Sequence, residues 1–232
     1  MSDVAERIDG LDWAHISAEI DAYGVSRTGP LLTPEDCATL RESYDTGDFR
    51  SRIVMARHGF GSGEYRYFAT IPGLVEALRA AVYPHAANIA NGWAERLGEA
   101  PYPPDLGQML ARCHAEGQTR PTPLLLKYGA GDYNCLHQDI YGAVAFPLQL
   151  VVLLTDPADF EGGALVLTEQ RPRMQSRAEV VTLRQGEGAL FATAERPKRG
   201  TKGDYRVKLR HGVSRIISGE RMTLGVIFHD AA

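Results

Sequence analysis

The strongest constraint on the fold is a change of pattern near residue 122. From there to residue 232, short apolar runs alternate with turn residues, whereas the preceding half is mainly helical in pattern. Many short strands separated by turns are typical of a β-sandwich or barrel. A chain of 232 residues is long enough for a substantial core, and no repeat or linker divides it. The runs are PLLLKY, FPLQLVVLL, GALVL, EVVTL, GALFAT, YRVKLRH and MTLGVIF.

These patterns predict an α+β fold in one domain that spans residues 1–232. We expect a jelly roll, or double-stranded β-helix of the cupin-like kind, in residues 121–232. Residues 1–120 are expected to form a mainly helical support region with two short strands, in RIVMARHG and YRYFAT.

Two features of the first half predict where helices begin and break. Thr33, Pro34 and Asp36 supply an N-cap, a proline at the first helical position and a variant capping box for a helix that reaches about Tyr44. Pro84 lies inside a long helical pattern and is expected to divide or kink it.

Three side chains in the second half have the chemistry of metal ligands. His137 and Asp139 are two residues apart, and on a strand such residues point to the same face. His211 ends the run YRVKLRH, where alternation places it with the apolar residues that face inward. Two imidazoles and one carboxylate on one face of an octahedral ion leave three positions open, which suits non-haem Fe(II). We therefore predict that these three residues form the metal site and catalytic centre.

Arg221 begins the last apolar run and provides a candidate anion site. It shares a strand face with Thr223 and Gly225, which are small, whereas the alternate residues are large and apolar. A guanidinium beside a hydroxyl can pair with one end of a dicarboxylate in bidentate fashion. A surface ion pair is the alternative role for this arginine. His229 competes with His211 as the distal histidine, but no Lys or Arg follows it.

Taken in order, these residues resemble the Fe(II)- and 2-oxoglutarate-dependent dioxygenase superfamily. Its pattern is HxD, a distal histidine some tens of residues later, and a basic residue soon after that histidine. Here His211 follows Asp139 by 72 residues, and Arg221 follows His211 by 10. The stretch KYGAGDYNCLHQD is similar to the prolyl hydroxylase branch, and DFEGGALVL is similar to an acidic turn, paired glycines and strand of the superfamily.

The resemblance implies Fe(II), 2-oxoglutarate as co-substrate and O₂ as the cofactors, with ascorbate as a reductant in vitro. The triad would bind the iron. Arg221 and Thr223 would hold the distal carboxylate of 2-oxoglutarate, and Tyr128 would assist, as a tyrosine ahead of the HxD does in prolyl hydroxylases. The implied reaction hydroxylates a C–H bond and releases succinate and CO₂.

The whole chain also resembles a bacterial oxygenase family associated with alkylated nucleic acid, where oxidation of an N-methyl group releases formaldehyde. The net charge of −4 alone argues against binding DNA or RNA. However, residues 196–210 carry seven Lys or Arg and one Asp, a local charge of +6. Phosphate contacts dominate nucleic-acid affinity, although lysines in such a hairpin can equally protect an edge strand. The candidate contacts are Lys198, Arg199, Lys202, Arg206, Lys208 and Arg210.

Aromatic residues in EYRYF are a second candidate for contact with nucleic acid. Tyr65, Tyr67 and Phe68 alternate with Arg66, and such residues can stack on a base that has left the duplex. The alternative is a plain amphipathic strand.

Two other functions stay open from the sequence. The known alkylated-DNA repair dioxygenases carry a pair of arginines far beyond the distal histidine, whereas Arg221 stands close to His211, as in prolyl hydroxylases. A protein side-chain hydroxylase of the prolyl type, acting on a peptide, is therefore the first alternative. The second is a metal-binding jelly roll without turnover.

Three features that the sequence lacks predict the cellular location of the protein. No apolar run is long enough to span a membrane, and MSDVAERIDG lacks the apolar region of a secretory signal. The three cysteines are odd in number and do not form CxxC pairs, so neither a disulfide framework nor a zinc knuckle is indicated. We expect a cytoplasmic protein without a membrane partner, and the sequence leaves the oligomeric state open.

Overall fold

The computed structural model describes residues 2–140 and 142–232. The helices are α1 (Ser2–Asp9), α2 (Trp13–Tyr23), α3 (Pro34–Thr46), α4 (Gly73–Leu97) and α5 (Leu106–Ala115). The strands are β1 (Val25–Pro30), β2 (Phe49–Val54), β3 (Gly61–Ser62), β4 (Glu64–Phe68), β5 (Leu124–Tyr128), β6 (Tyr133–His137), β7 (Leu148–Leu153), β8 (Phe160–Gly162), β9 (Leu165–Gln170), β10 (Arg177–Val181), β11 (Glu187–Ala192), β12 (Glu195–Gly200), β13 (Gly203–Val213), β14 (Ile216–Gly219) and β15 (Arg221–Ile227).

Two antiparallel sheets form the core of the protein. The larger has the order β1-β11-β7-β15-β5-β4-β2, and the smaller has the order β10-β9-β13-β6-β3, with β12 also paired to β13. Strand β15, near the end of the chain, lies between β7 and β5, so strands distant in sequence are neighbours in the sheet. This crossing of connections between two antiparallel sheets confirms the predicted α+β jelly roll.

The central strands of the larger sheet are buried on both faces. On β7, Leu148, Leu150 and Val152 are fully buried in the main hydrophobic core, and the alternate residues Gln149 and Val151 line an internal cavity. The residues of strand β15 alternate in the same way. One set lies in the core, and the other set, Arg221, Thr223, Gly225 and Ile227, lines the cavity. Alternation therefore places one polar row of the sheet inside the protein.

Helix α4 is continuous through Pro84, so the proline does not divide this helix, and a kink at Pro84 stays a prediction. Proline removes one backbone hydrogen bond, but Val82 before it and Ala86 after it are both buried in the core and hold the helix in place. Arg79 also attaches the helix to the end of β15. Its Nε donates to the carbonyl of Ile227 at 2.8 Å.

The first half contributes more strand than the sequence predicts. The described residues 2–120 contain four strands rather than two. Strands β2 and β4 extend the larger sheet beyond β5, and β1 forms its opposite edge against β11. The sequence VSRTGP of β1 shows no apolar alternation. It forms a strand at the sheet edge, where glycine and proline are tolerated, because it pairs with β11. The helix start at Thr33 is confirmed, including the capping box with Asp36.

The apolar runs of the second half match seven strands, but β6, β8, β12 and β14 add to them. Their residues are mostly polar or exposed, so no apolar run marks them. Among the described residues, no helix combines the length and the apolar character needed to cross a bilayer.

Candidate metal centre and co-substrate cavity

His137, Asp139 and His211 lie together where the two strands β6 and β13 meet. The two histidines are directly opposite each other in the antiparallel pairing. One Asp139 oxygen is 3.4 Å from Nε2 of His137, and the other is 3.2 Å from Nε2 of His211. One ligand atom from each residue lies within 4.8 Å of the other two. The structure therefore brings together all three predicted metal ligands.

Asp139 does not lie on a strand, because β6 ends at His137. Strand alternation thus explains only the two histidines. The following residue, Gln138, holds the aspartate loop in place. Its Nε2 donates to the carbonyls of Ala194 at 2.9 Å and Leu209 at 2.8 Å, at the point where β12 replaces β6 as the neighbour of β13. The carboxamide thus bridges a break in the backbone ladder beside the metal ligands.

Gly212 permits the close approach of β13 and β6 next to His211. A Cβ at Gly212 would lie 2.6 Å from the carbonyl oxygen of Asn134, which is too close for any larger residue. The strand pairing also shifts register between His211 and Val213. The shift comes after His211, whose side chain still follows the alternation of Val207 and Leu209.

The protonation states differ between the two histidines of the triad. Burial lowers the pKa of His137, but its hydrogen bond with Asp139 and the charge of that carboxylate raise it overall, so a metal ion would displace a proton from this imidazole. Burial lowers the pKa of His211, so its imidazole is neutral at neutral pH. Nδ1 of His137 donates to the carbonyl of Cys135 at 2.8 Å, which leaves Nε2 available as a ligand. Burial opposes ionisation of Asp139, but the two imidazoles outweigh it and hold the pKa of this carboxyl well below its usual range.

The donor set fits Fe(II). Neighbouring ligands around an octahedral ion with bonds of roughly 2.1 Å are roughly 3 Å apart, which is close to the 3.2 Å and 3.4 Å separations between the carboxylate oxygens and the two Nε2 atoms. Two imidazoles and one carboxylate leave room for further ligands. His137, the most exposed of the three, would bind the ion from the side of the cavity mouth.

A cavity of about 310 Å³ joins the triad to Arg221. Arg221 is 4% exposed, and among the described residues no carboxylate or hydrogen-bond acceptor contacts its guanidinium. Burial lowers the pKa of this arginine to about 10. A buried cation without a counter-charge is costly, so the cavity is built for an anionic ligand. Thr223 and Gly225 follow along the same wall, in line with the predicted carboxylate site.

Tyr128 also lies at the arginine end of the cavity. It is directly opposite Arg221 in the pairing of β5 with β15, and the centre of its ring is 5.9 Å from Cζ of Arg221. Burial raises the pKa of its hydroxyl, so the group stays protonated. The three residues predicted to bind 2-oxoglutarate therefore share one end of the cavity.

Gly163 gives the Arg221 side chain room to reach the cavity. A Cβ at this position would lie 2.4 Å from Cδ1 of Ile216 and 2.7 Å from Cδ of Arg221, and the backbone has a φ of +65°. We predict that Gly163→Ala displaces the guanidinium and raises the KM for 2-oxoglutarate at least tenfold, a change of about 1.4 kcal/mol. Substrate-independent 2-oxoglutarate consumption and calorimetry would measure this effect.

The control for this prediction is Gly131→Ala. Gly131 has a similar backbone strain, with a φ of +90°, but a Cβ there would meet nothing within 4 Å. A similar rise in KM in both variants would show that backbone strain, rather than the position of Arg221, causes the effect.

His229 lies away from the cavity. It is fully buried, and its Nδ1 accepts a hydrogen bond from the backbone N–H of Phe146 at 3.1 Å. Burial lowers its pKa to about 4. The alternative assignment of His229 as distal ligand is therefore wrong.

Strand alternation divides the basic residues of the 196–210 segment between the two faces of the β12–β13 hairpin, and their contact with nucleic acid stays a prediction. Lys198 is opposite Tyr205, on the inward side of the hairpin, whereas Arg199, Arg206, Lys208 and Arg210 face outward. Cross-strand partners share a face, so alternation separates the charges. Lys202 lies in the connecting turn.

Ion pairs also neutralise part of this charge. Arg206 pairs with Glu99 and Glu195, and Arg199 pairs with Asp204. In residues 2–140 and 142–232, neither Lys208 nor Arg210 has an ion-pair partner. Arg206 and Lys208 line a second cleft, of about 490 Å³, which also touches Gln138 and Asp139.

The aromatic residues of EYRYF are divided by the same alternation. Tyr65 and Tyr67 line the cavity, with ring centres 5.5 Å apart and planes nearly perpendicular. Burial raises the pKa of Tyr65, and the nearby charge of Asp139 raises it further, so this ring is close to the triad. Phe68 is in the core, and Arg66 stacks on Tyr44 on the other side of the sheet. Only the two tyrosines therefore keep the predicted role.

Comparison with known proteins places the triad, the arginine and their order in a family. A family model described as an oxygenase catalysing oxidative methylation of damaged DNA matches residues 63–231. The chain belongs to this oxygenase family. This oxygenase is also 52% identical over 161 residues to an uncharacterized protein of Mycobacterium tuberculosis strain H37Rv, across 68% of this chain and 69% of that protein.

Solved structures show the same fold at low identity. An oxidoreductase of the 2OG-Fe(II) oxygenase family from Burkholderia pseudomallei has a TM-score of 0.56 at 13% identity, covering 95% of this chain and 92% of the other. A Pseudomonas putida prolyl-4-hydroxylase has a TM-score of 0.51 at 14% identity, covering 92% and 96%. A Trichoplax adhaerens prolyl hydroxylase, in complex with a peptide fragment of the hypoxia inducible factor oxygen degradation domain, has a TM-score of 0.56 at 13% identity, covering 97% and 91%.

Family membership, the triad and the buried arginine agree. The protein is a 2-oxoglutarate-dependent dioxygenase with a site for Fe(II) at the triad. A jelly roll that binds metal without turnover, the second alternative from the sequence, does not fit an oxygenase family.

Proposed function

We propose that this protein is a cytoplasmic oxygenase that removes alkyl groups from damaged nucleic acid. The observation that carries the proposal is the aromatic wall of the cavity, formed by Tyr65 and Tyr67 beside the triad. The guanidinium of Arg50 lies 4.4 Å from the centre of the Tyr67 ring. Bases stack on the faces of such rings, and a guanidinium over one face of Tyr67 adds positive charge that suits a phosphate. The family description, which names damaged DNA, also supports the proposal.

Fe(II), 2-oxoglutarate and O₂, when bound, supply the oxygen atom that converts an N–CH₃ group into N–CH₂OH, while the co-substrate leaves as succinate and CO₂. The hydroxymethyl product then loses formaldehyde and leaves N–H on the base. His137, Asp139 and His211 would hold the metal, and Arg221 with Thr223 would fix the far carboxylate of 2-oxoglutarate. The site thus provides a place for each reactant.

The cavity walls would control access of water to the reaction. Leu126, Val151 and Phe191 line the space between the arginine and the triad. Apolar walls strengthen the pairing of Arg221 with a carboxylate, because a low local dielectric strengthens charge interactions. No acid or base side chain is required for removal of the substrate hydrogen, so we assign none.

A side-chain hydroxylase of the prolyl type is the second candidate. One observation favours it, namely the position of Arg221 only 10 residues after His211. The basic residues Lys208 and Arg210, which carry no ion pair in the described part of the chain, would then face an acidic peptide rather than phosphates.

Substrate-dependent succinate formation tests the proposal. Protein with Fe(II), ascorbate and 2-oxoglutarate is mixed with oligonucleotides that carry one N-methylated base, and with unmethylated controls. We expect formaldehyde to form only with methylated strands, in an amount equal to the succinate formed above the substrate-free level. Stimulation by a proline-containing peptide library, without stimulation by any methylated strand, would support the prolyl-type alternative instead.

Tyr67→Leu tests the stacking role. Removal of one stacking ring is expected to weaken oligonucleotide binding by roughly 1–3 kcal/mol, or about 5- to 150-fold. Fluorescence anisotropy at two salt concentrations would measure it. The matched control is Tyr23→Leu, because Tyr23 is an exposed tyrosine on α2 with Arg177 over its ring at 5.4 Å. Equal losses in both variants would contradict a specific role for the cavity ring.

A further inference from the structure

A single polar side chain, Gln149, interrupts the apolar strand β7 and lines the cavity. It is only 8% exposed, yet its carboxamide makes no hydrogen bond with any described residue, and Oε1 is fully enclosed. A buried amide without hydrogen-bond partners destabilises the folded protein. An apolar residue at this position would avoid that cost, so the carboxamide is expected to serve a ligand.

Strand pairing places Gln149 at the metal end of the cavity. It is opposite Phe191 on one side and Ile227 on the other. The ring of Phe191 is 4.7 Å from the ring of the metal ligand His211, centre to centre. Arg221 stands six residues before Ile227 on β15, which is roughly 20 Å along a strand. When one carboxylate of a diacid pairs with Arg221, that carboxylate lies at the opposite end of the cavity from Gln149.

The stacking wall and Gln149 lie on the cavity face of the same sheet. Tyr65 and Tyr67 are on β4, three strands away from β7, which is roughly 14 Å. The strand pairings place Tyr67 in line with Gly225 on β15 and Val151 on β7, so Gln149 is two residues further along this face. Gly225 has no side chain, so a planar group held against Tyr67 would extend over β15 and present its edge to the carboxamide.

We propose that Gln149 is the specificity-determining residue for the substrate. A carboxamide presents a donor and an acceptor in one plane, and its complement is a planar group with an adjacent acceptor and donor, as on the edge of adenine. Gln149 would read this edge while the alkylated nitrogen faces the metal. The inference rests on the proposed function, which it deepens by naming how the base is selected.

Two substitutions test the inference on oligonucleotides with N-methylated adenine, cytosine, guanine or thymine. Gln149→Leu removes both the donor and the acceptor, and is expected to lower kcat/KM for the preferred base roughly 5- to 150-fold and to flatten the preference among bases. Gln149→Glu replaces the donor with an acceptor, and is expected to shift the preference towards methylated cytosine, whose amino group donates. Gln175→Leu, at an exposed glutamine outside the cavity, is the control.

Binding and stability measurements complete the test. Calorimetry should show unchanged affinity of Gln149→Leu for 2-oxoglutarate with Mn(II) in the metal site. Thermal unfolding should show an equal or higher midpoint, because the variant removes a buried unpaired amide. These readouts distinguish a folded variant with altered selectivity from a damaged one.

Each other outcome overturns the inference in a distinct way. Weaker binding of 2-oxoglutarate would assign Gln149 to the co-substrate. An equal loss for all four bases, or no loss, would remove its role in selection while the proposed function stands. If no methylated strand stimulates even the wild-type protein, the proposed function fails and the inference fails with it.

Discussion

His211→Ala is expected to abolish turnover and to remove most of the affinity for the metal. The side chain supplies one of three ligands from a fully paired strand, so no neighbouring group can take its place. Loss of a mere hydrogen-bond partner of a ligand costs roughly 10- to 100-fold in metal affinity or activity, and loss of the ligand itself should exceed that. Calorimetry with Fe(II) or Co(II) and a succinate assay would measure the two effects separately.

Two other histidines provide the controls. His58→Ala changes an exposed residue that stacks on Phe60 and does not line the cavity, so metal affinity should stay within twofold of the wild type. His229→Ala should lower the melting temperature, because His229 accepts a buried backbone hydrogen bond, but the folded variant should still bind the metal. Retained turnover in His211→Ala, together with lost metal binding in His229→Ala, would contradict the assignment of the distal ligand.

Alternation along strands explains how much of the site the sequence predicts. On β13, Val207, Leu209 and His211 are buried and the residues between them are exposed, as a period of two requires. On β15 the same rule places Arg221 and Thr223 against the cavity. Both strands lie inside regular sheets, where the backbone alone determines the direction of a side chain.

Where the backbone is irregular, the sequence is less informative. Asp139 joins the triad from a loop after β6, and Gln138 fixes that loop through carbonyls of Ala194 and Leu209, which are far away in sequence. Strand β1 is specified by its pairing with β11 rather than by its own pattern. Contacts of this kind depend on the tertiary fold, and no local pattern encodes them.

Charge counts fail for a related reason. The seven basic residues of 196–210 give a local charge of +6 in the sequence, but Arg196 is buried against Glu169, and Arg206 pairs with Glu99 in the loop after α4. The net charge of a segment does not show which of its charges form ion pairs with residues elsewhere in the chain. Gln149, by contrast, is visible in the sequence as one polar residue in the apolar run FPLQLVVLL. The structure indicates a functional role for Gln149, because its side chain is buried without a hydrogen-bond partner among the described residues.

Arg221→Met is expected to change ligand affinity and protein stability in opposite directions. Because Arg221 is buried without a counter-charge, its folded-state pKa of about 10 lies below the usual value. The unfolded chain therefore holds this proton more tightly, and the charge destabilises the ligand-free protein at every pH below about 10. The destabilisation is on the order of 3 kcal/mol, so the variant should unfold at a higher temperature than the wild type in the absence of ligand.

In the presence of 2-oxoglutarate, the wild type should instead unfold at a higher temperature than the variant. A carboxylate that pairs with Arg221 offsets the buried charge, and loss of one partner of a buried pair costs about 3–5 kcal/mol. The KM for 2-oxoglutarate should therefore rise on the order of 100- to 1000-fold. Saturating 2-oxoglutarate should raise the melting temperature of the wild type but not that of the variant, because a ligand stabilises only the state that binds it.

The matched control for these two effects is Arg215→Met, which removes an exposed arginine that does not line the cavity. It should change neither the ligand-free melting temperature nor the shift caused by 2-oxoglutarate. A lower ligand-free melting temperature in Arg221→Met would show that the guanidinium is already compensated within the protein. A normal KM in that variant would show that another group holds the carboxylate, and the chemistry of the cavity would then need a different anchor.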